Sequence, residues 1–106
     1  MKETPVHFTA GPGTKKYKVW LRHKSTKKVR TLTFGHKEYQ QYRDSVPLHL
    51  GGGVYTHMDH NDSTRRRSYF SRHSGGRSAK APSIAHEASK SGGLYTPKLL
   101  SHTYLW

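Results

Sequence analysis

Residues 15–22 read KKYKVWLR, in which Tyr17, Val19 and Leu21 alternate with Lys16, Lys18, Trp20 and Arg22. Apolar positions at a period of two predict a strand with one buried and one wet face; a helix does not satisfy that spacing. A polar interruption over 23–27 is followed by KVRTLTFG, which supplies Val29, Leu32 and Phe34 among Thr and Arg and stops at Gly35. The two segments together predict a β-hairpin. Its inner face carries Tyr17, Val19 and Leu21. Its outer face presents Lys16, Lys18, Arg22 and Arg30, with Trp20 on the same basic side. A two-stranded ribbon is marginal alone in water, so it must pack on the rest of the chain or on a partner.

Little apolar material is left for that packing. The chain has 106 residues, 31% of them hydrophobic, which sets a limit of one small domain. Residues 1–14 contain Pro5, Gly11, Pro12 and Gly13 without periodicity and predict an extended N-terminal arm, leaving 15–106 as a single small basic domain. HKEYQQYRD, residues 36–44, sets Tyr39 and Tyr42 three apart and predicts a short helix ending before Pro47. Gly51, Gly52 and Gly53 mark a loop, and the Gly-, Ser- and Ala-rich stretch 75–93 predicts a long surface loop with at most a helical turn at 84–88. In the closing YTPKLLSHTYLW, Thr96 can cap a helix with Pro97 in its first position. Leu99, Leu100, Tyr104, Leu105 and Trp106 are then apolar anchors for the core or for docking on a neighbour. The expected class is α+β, a basic hairpin packed against two or three short helices with long polar loops.

Charge narrows the function. Nineteen Lys and Arg against six Asp and Glu give a formal +13, and an anionic partner is the economical reason for a compact chain to carry it. Nucleic acid or another polyanion, an acidic protein surface or a lipid headgroup would serve. The basic residues fall in two blocks. One is the hairpin, with eight cations and no acid between Lys15 and Phe34; the other is the arginine run after Asn61. No cysteine is present, which removes disulfides and thiolate metal sites. No apolar run approaches the ~20 residues of a membrane span, and the N-terminus lacks the apolar core of a secretory signal. The expected location is therefore a cell interior or a virion.

The densest chemistry lies in HMDHNDSTRRRSYFSRHSG, residues 57–75. Asp59 or Asp62 can cap a helix over 63–73, with Gly75 just past its end. On it Arg66, Tyr69, Phe70 and His73 share one side, and Arg65 and Arg72 lie seven apart along another. The arginine fork binds phosphate bidentately, so Arg65, Arg66, Arg67 and Arg72 join the hairpin cations Lys16, Lys18, Arg22 and Arg30 as nucleic-acid contacts, with Trp20 available for stacking. His57, Asp59, His60 and His73 form an alternative set of metal ligands, and their residue types resemble those of ββα-metal nucleases. Capping and arginine pairing explain the same aspartates more simply. No catalytic residue is assigned and no cofactor is expected.

The order of these blocks resembles a family of small basic proteins of nucleocytoplasmic large DNA viruses, phycodnavirus and mimivirus relatives among them, with similar chains in some phages. The matching pieces are Asp59, His60 and Asp62, then Arg66, Tyr69, Arg72 and His73, and the terminal leucine and tryptophan, over about Lys15 to Trp106. The resemblance implies a non-enzymatic, virion-associated protein that neutralises packaged DNA. The alternative it implies is a minor capsid protein docking on capsid proteins.

Overall fold

The computed structural model describes residues 1–106 as an α+β domain. Three antiparallel strands, β1 (Glu3–Ala10), β2 (Tyr17–His23) and β3 (Val29–Phe34), pair in the order β1-β2-β3. Three helices follow, α1 (Ser63–His73), α2 (Lys80–Lys90) and α3 (Pro97–Tyr104), with short 3-10 turns at Leu48–Leu50 and Thr56–Met58. No helix is long and apolar enough to cross a membrane.

The expected hairpin forms, with Tyr17 opposite Phe34 and Val19 opposite Leu32, but Arg30, expected on the outer face, pairs with Leu21 and so lies on the same face as that buried residue. The sheet is not two-stranded. The segment expected as an arm is β1, which pairs along the other side of β2 and makes the hairpin part of a sheet. The register shifts between Pro5 and His7, so the sequence alternation breaks at the bulge. Pro5 is tolerated because β1 is an edge strand. Glu3 anchors its start: the carboxylate takes two hydrogen bonds from Arg30, at 2.6 and 2.8 Å, and one from the Tyr95 amide at 2.9 Å.

Phe8, Tyr17, Val19, Leu21 and Phe34 line the inner face of the sheet, and Leu100, Leu105, Val46 and Tyr55 close over them. Leu99 and Leu100 are fully buried and Leu105 is 2% exposed. The apolar tail, expected to anchor in the core or on a neighbour, is committed largely to the domain's own core. Thr96 caps α3 through Oγ1, which accepts from the Leu99 amide at 3.1 Å, with Pro97 in the first turn. Thr96→Ala should cost about 1 kcal/mol, a fall of roughly 5 °C in the thermal midpoint by circular dichroism. An unchanged midpoint would show that water replaces the cap.

Two other expectations fail. Residues 36–44 form no helix: the Arg43 amide, which a helix would send to Tyr39, donates to the Leu105 carbonyl at 3.1 Å, and Ser45 donates to Tyr104 at 2.9 Å. The segment is an irregular strap over the end of α3. Conversely, α2 occupies the stretch expected as a loop. Alanines favour it, Pro82 falls within its first turn, and its buried positions are Ser83 and Glu87, so no apolar stripe announces it. The glycine turn is required by space: a Cβ on Gly51 would lie 2.1 Å from the Phe8 carbonyl oxygen, and its φ is +106°.

Candidate nucleic-acid interface

A cleft of about 1090 Å³ opens between the 36–41 strap on one side and α1 and α3 on the other. Lys15 and Lys16 border it from the sheet side, His36 from the strap, and Arg65, Arg72, His73 and Lys98 from the helices, with Glu38 as its one acid. Tyr39, Tyr69 and Trp106 supply aromatic surface.

The local sequence explains the helical wall. Asp62 caps α1, its Oδ1 accepting from the Thr64 and Arg65 amides at 2.9 and 3.2 Å, as its position before the arginine run predicts. Tyr69 and Phe70 are buried and hold the helix against His102. Burial fixes the helix rotation, and Arg65 and Arg72 both border the cleft. Arg65 reaches across to Gln40, donating from a terminal guanidinium nitrogen to Oε1 at 2.9 Å. Trp106 lies on Tyr69, with ring centres 4.2 Å apart and planes 5° apart. A hollow of about 340 Å³, lined by Thr64, Arg65, Ser68, Arg72 and Trp106, adjoins the cleft and shares its arginines.

The opposite wall stands on a buried polar network. Lys16, expected as a phosphate contact, is 1% exposed, and its ammonium donates to the Tyr39 carbonyl and to Gln41 Oε1. It sits just before β2, where both it and Tyr17 turn inward, which the simple alternation misses. Burial lowers Lys16 to about 8 against the opposing pull of Asp44 and Asp59. Gln41 passes the network on, donating from Nε2 to the Tyr55 carbonyl and to Asp59 Oδ1, each at 2.7 Å. Asp59 also accepts from the Asp44 amide at 2.7 Å. The Asp44 carboxyl in turn receives the Tyr17 hydroxyl, the Tyr55 amide at 2.9 Å and the Val46 amide at 3.1 Å.

The other expected contacts divide. Lys18, Trp20 and Arg22 lie on the outer face of the sheet, the Lys18 ammonium 5.1 Å from the Trp20 ring centre and His7 5.0 Å from it on β1. Arg30 is held by Glu3 and by the Tyr95 carbonyl, so it is a structural clamp. Arg66 packs over the Tyr42 ring at 4.6 Å, and Arg67 is exposed. The two basic blocks meet at the cleft, through Lys15 from one and Arg65 and Arg72 from the other.

The alternative metal ligands do not converge, and no group of three His, Cys, Asp or Glu is placed to hold an ion. Asp59 is spent inside the network. His60 lies beside Trp106 at 5.3 Å between ring centres, and His73 beside Tyr69 at 4.7 Å. Burial holds both histidines below the ordinary range, helped by Arg65 at His60 and by Arg72 and Lys98 at His73. A cation would enter a positive neighbourhood here.

Sequence reasoning missed Tyr39, His36, Lys15 and Lys98 as cleft residues. No local pattern marks them, because the strap that brings Tyr39 and His36 to the cleft is held by contacts distant in sequence. No family model, curated protein or solved structure matches the chain.

Proposed function

We propose that this protein binds a polyanion, nucleic acid foremost, at the cationic cleft, and acts by binding rather than by catalysis. The observation that carries the reading is where the acids go. Glu3 clamps Arg30, Asp44 and Asp59 serve the buried network, Asp62 caps α1, Glu87 is buried against α3 with its carboxylate 3.9 Å from Lys90, and Glu38 alone borders the cleft. Only two ion pairs form, Arg30–Glu3 and Lys90–Glu87, so most of the 19 Lys and Arg have no carboxylate partner. Charge spent on no internal partner is available to an external anion, and phosphates match the arginine fork.

The resemblance to small basic proteins of large DNA viruses favours packaged DNA as the anion and the virion as the setting. The minor-capsid alternative is less well supported, since docking through Leu99, Leu100 and Leu105 would require opening the core.

Binding should weaken steeply with salt in a fluorescence-anisotropy titration of labelled DNA. Replacing both Arg65 and Arg72 by glutamine should lower the log–log salt slope by about 1.4 on a single strand or 1.8 on a duplex. Both side chains are exposed, so the fold should be retained. No binding at physiological salt would remove the reading.

A further inference from the structure

We infer that the cleft takes an unpaired strand of nucleic acid, stacking its bases on Tyr39 and Trp106 while Arg65 and Arg72 hold its phosphates. The inference rests on the polyanion reading and narrows it to one ligand class. Cations alone would bind any polyanion; the aromatic rings among them require a ligand with π-faces to offer.

Tyr39 is the sharpest of these observations. Its side chain belongs to a large ring, yet the residue is 67% exposed. It is also held in place. The Tyr39 amide donates to the His36 carbonyl at 3.1 Å, and its own carbonyl accepts from the buried Lys16 ammonium. His36 stacks on the ring with centres 4.6 Å apart and planes 26° apart. The result is a platform, a ring backed on one face by His36 and largely open to solvent, on a backbone held in place, which lowers the cost of ordering it around a ligand. Trp106 is a second platform, backed by the near-parallel Tyr69 ring and only partly buried.

A duplex turns its base faces inward and would meet this cleft with phosphates and groove edges alone, leaving both platforms unused. An unpaired strand exposes a π-face at every base, and each stack onto an aromatic side chain strengthens binding without regard to sequence. The cleft, at about 1090 Å³, leaves room for more than one nucleotide. The adjoining hollow extends the path, since Thr64 and Ser68 add hydroxyls beside the two arginines on α1, and hydroxyls are common phosphate donors.

The test compares a labelled short oligothymidine, a duplex of equal length and inorganic polyphosphate, which has no bases, at matched salt. The oligothymidine should bind more tightly than the duplex. Tyr39→Ala should weaken it by roughly tenfold, Tyr39→Phe should restore it, and polyphosphate affinity should be unchanged in both variants. In a Trp20→Phe background, where Trp106 is the sole tryptophan, oligothymidine should quench its fluorescence and polyphosphate should not. Equal affinity for strand and duplex together with an inert Tyr39→Ala would overturn the inference and leave the polyanion reading standing. Equal weakening of oligothymidine and polyphosphate by Tyr39→Ala would also overturn it. Failure to bind any of the three would end both.

Discussion

Replacing Asp44 with alanine is expected to lower the unfolding free energy by about 3–5 kcal/mol and the thermal midpoint by roughly 15–30 °C. The residue is 7% exposed, and its carboxyl group is the acceptor for the Tyr17 hydroxyl and for the amides of Val46 and Tyr55. Alanine leaves all three donors without a partner in a site with little access to water, and each stranded group costs about 1–3 kcal/mol. The Tyr17 phenol, pushed above its ordinary value by burial and by its bond to Asp44, cannot relieve the loss by ionising. Asp44→Asn should cost about half as much, because one oxygen still accepts while the amide nitrogen faces a donor. A loss below about 1 kcal/mol in urea unfolding would mean that water reaches these groups. The effect should extend to binding: the Asp44 carboxyl holds the Tyr55 amide, Gln41 donates to the Tyr55 carbonyl, and Gln41 helps Lys16 hold the strap that carries Tyr39. An Asp44→Ala protein kept folded by low temperature should therefore bind oligothymidine more weakly than the parent.

That coupling also shows where local sequence stops being informative. The hairpin was legible because a period of two needs only adjacent residues to be read, and the ends of α1 and α3 were legible because Asp62, Thr96 and Pro97 act within one turn. Strand β1 was hidden by the bulge between Pro5 and His7, which resets its alternation. Helix α2 was hidden by burying Ser83 and Glu87 where a stripe of leucines would have declared it. At the cleft, the spacing of Arg65 and Arg72 was visible from the helix period. The alternation puts Lys16 on the wrong side, because its inward turn depends on acceptors at residues 39 and 41. The spacing of Tyr39 and Tyr42 suggests a helix for the same reason: the strap takes its shape from bonds to Leu105, Tyr104 and Met58, none of them near it in the chain.

Acid should destabilise the domain through His102 before most carboxyl groups titrate. His102 lies fully buried in the tail that reads as apolar anchors, its Nδ1 2.8 Å from the Tyr69 hydroxyl and its Nε2 2.7 Å from the Ser74 hydroxyl. Burial pushes it down to about 4; Glu87 pulls the other way, and His73, Lys98 and Lys80 add to the depression. In the unfolded chain the imidazole returns to about 6.5 and binds its proton more readily. Between those values the unfolded state carries more protons than the native one, so stability is complete above pH 6.5 and falls as the pH drops toward 4. A difference of about 2.5 pH units corresponds to a loss of roughly 3 kcal/mol, a large part of what a domain this size holds. His60 and His73 shift in the same direction and steepen the fall, but both are more exposed and contribute less. Urea midpoints measured from pH 8 to pH 4 should trace this slope. His102→Asn keeps a donor and an acceptor but cannot titrate; it should be less stable at pH 8 and much flatter below 6.5. An unchanged slope in that variant would move the origin of acid sensitivity away from His102. Because Tyr69 is both the partner of His102 and the support of Trp106, protonation should also loosen the helical wall of the cleft. Affinity for an unpaired strand should then fall below about pH 5 even as the net charge rises, whereas a binding surface governed by charge alone would tighten.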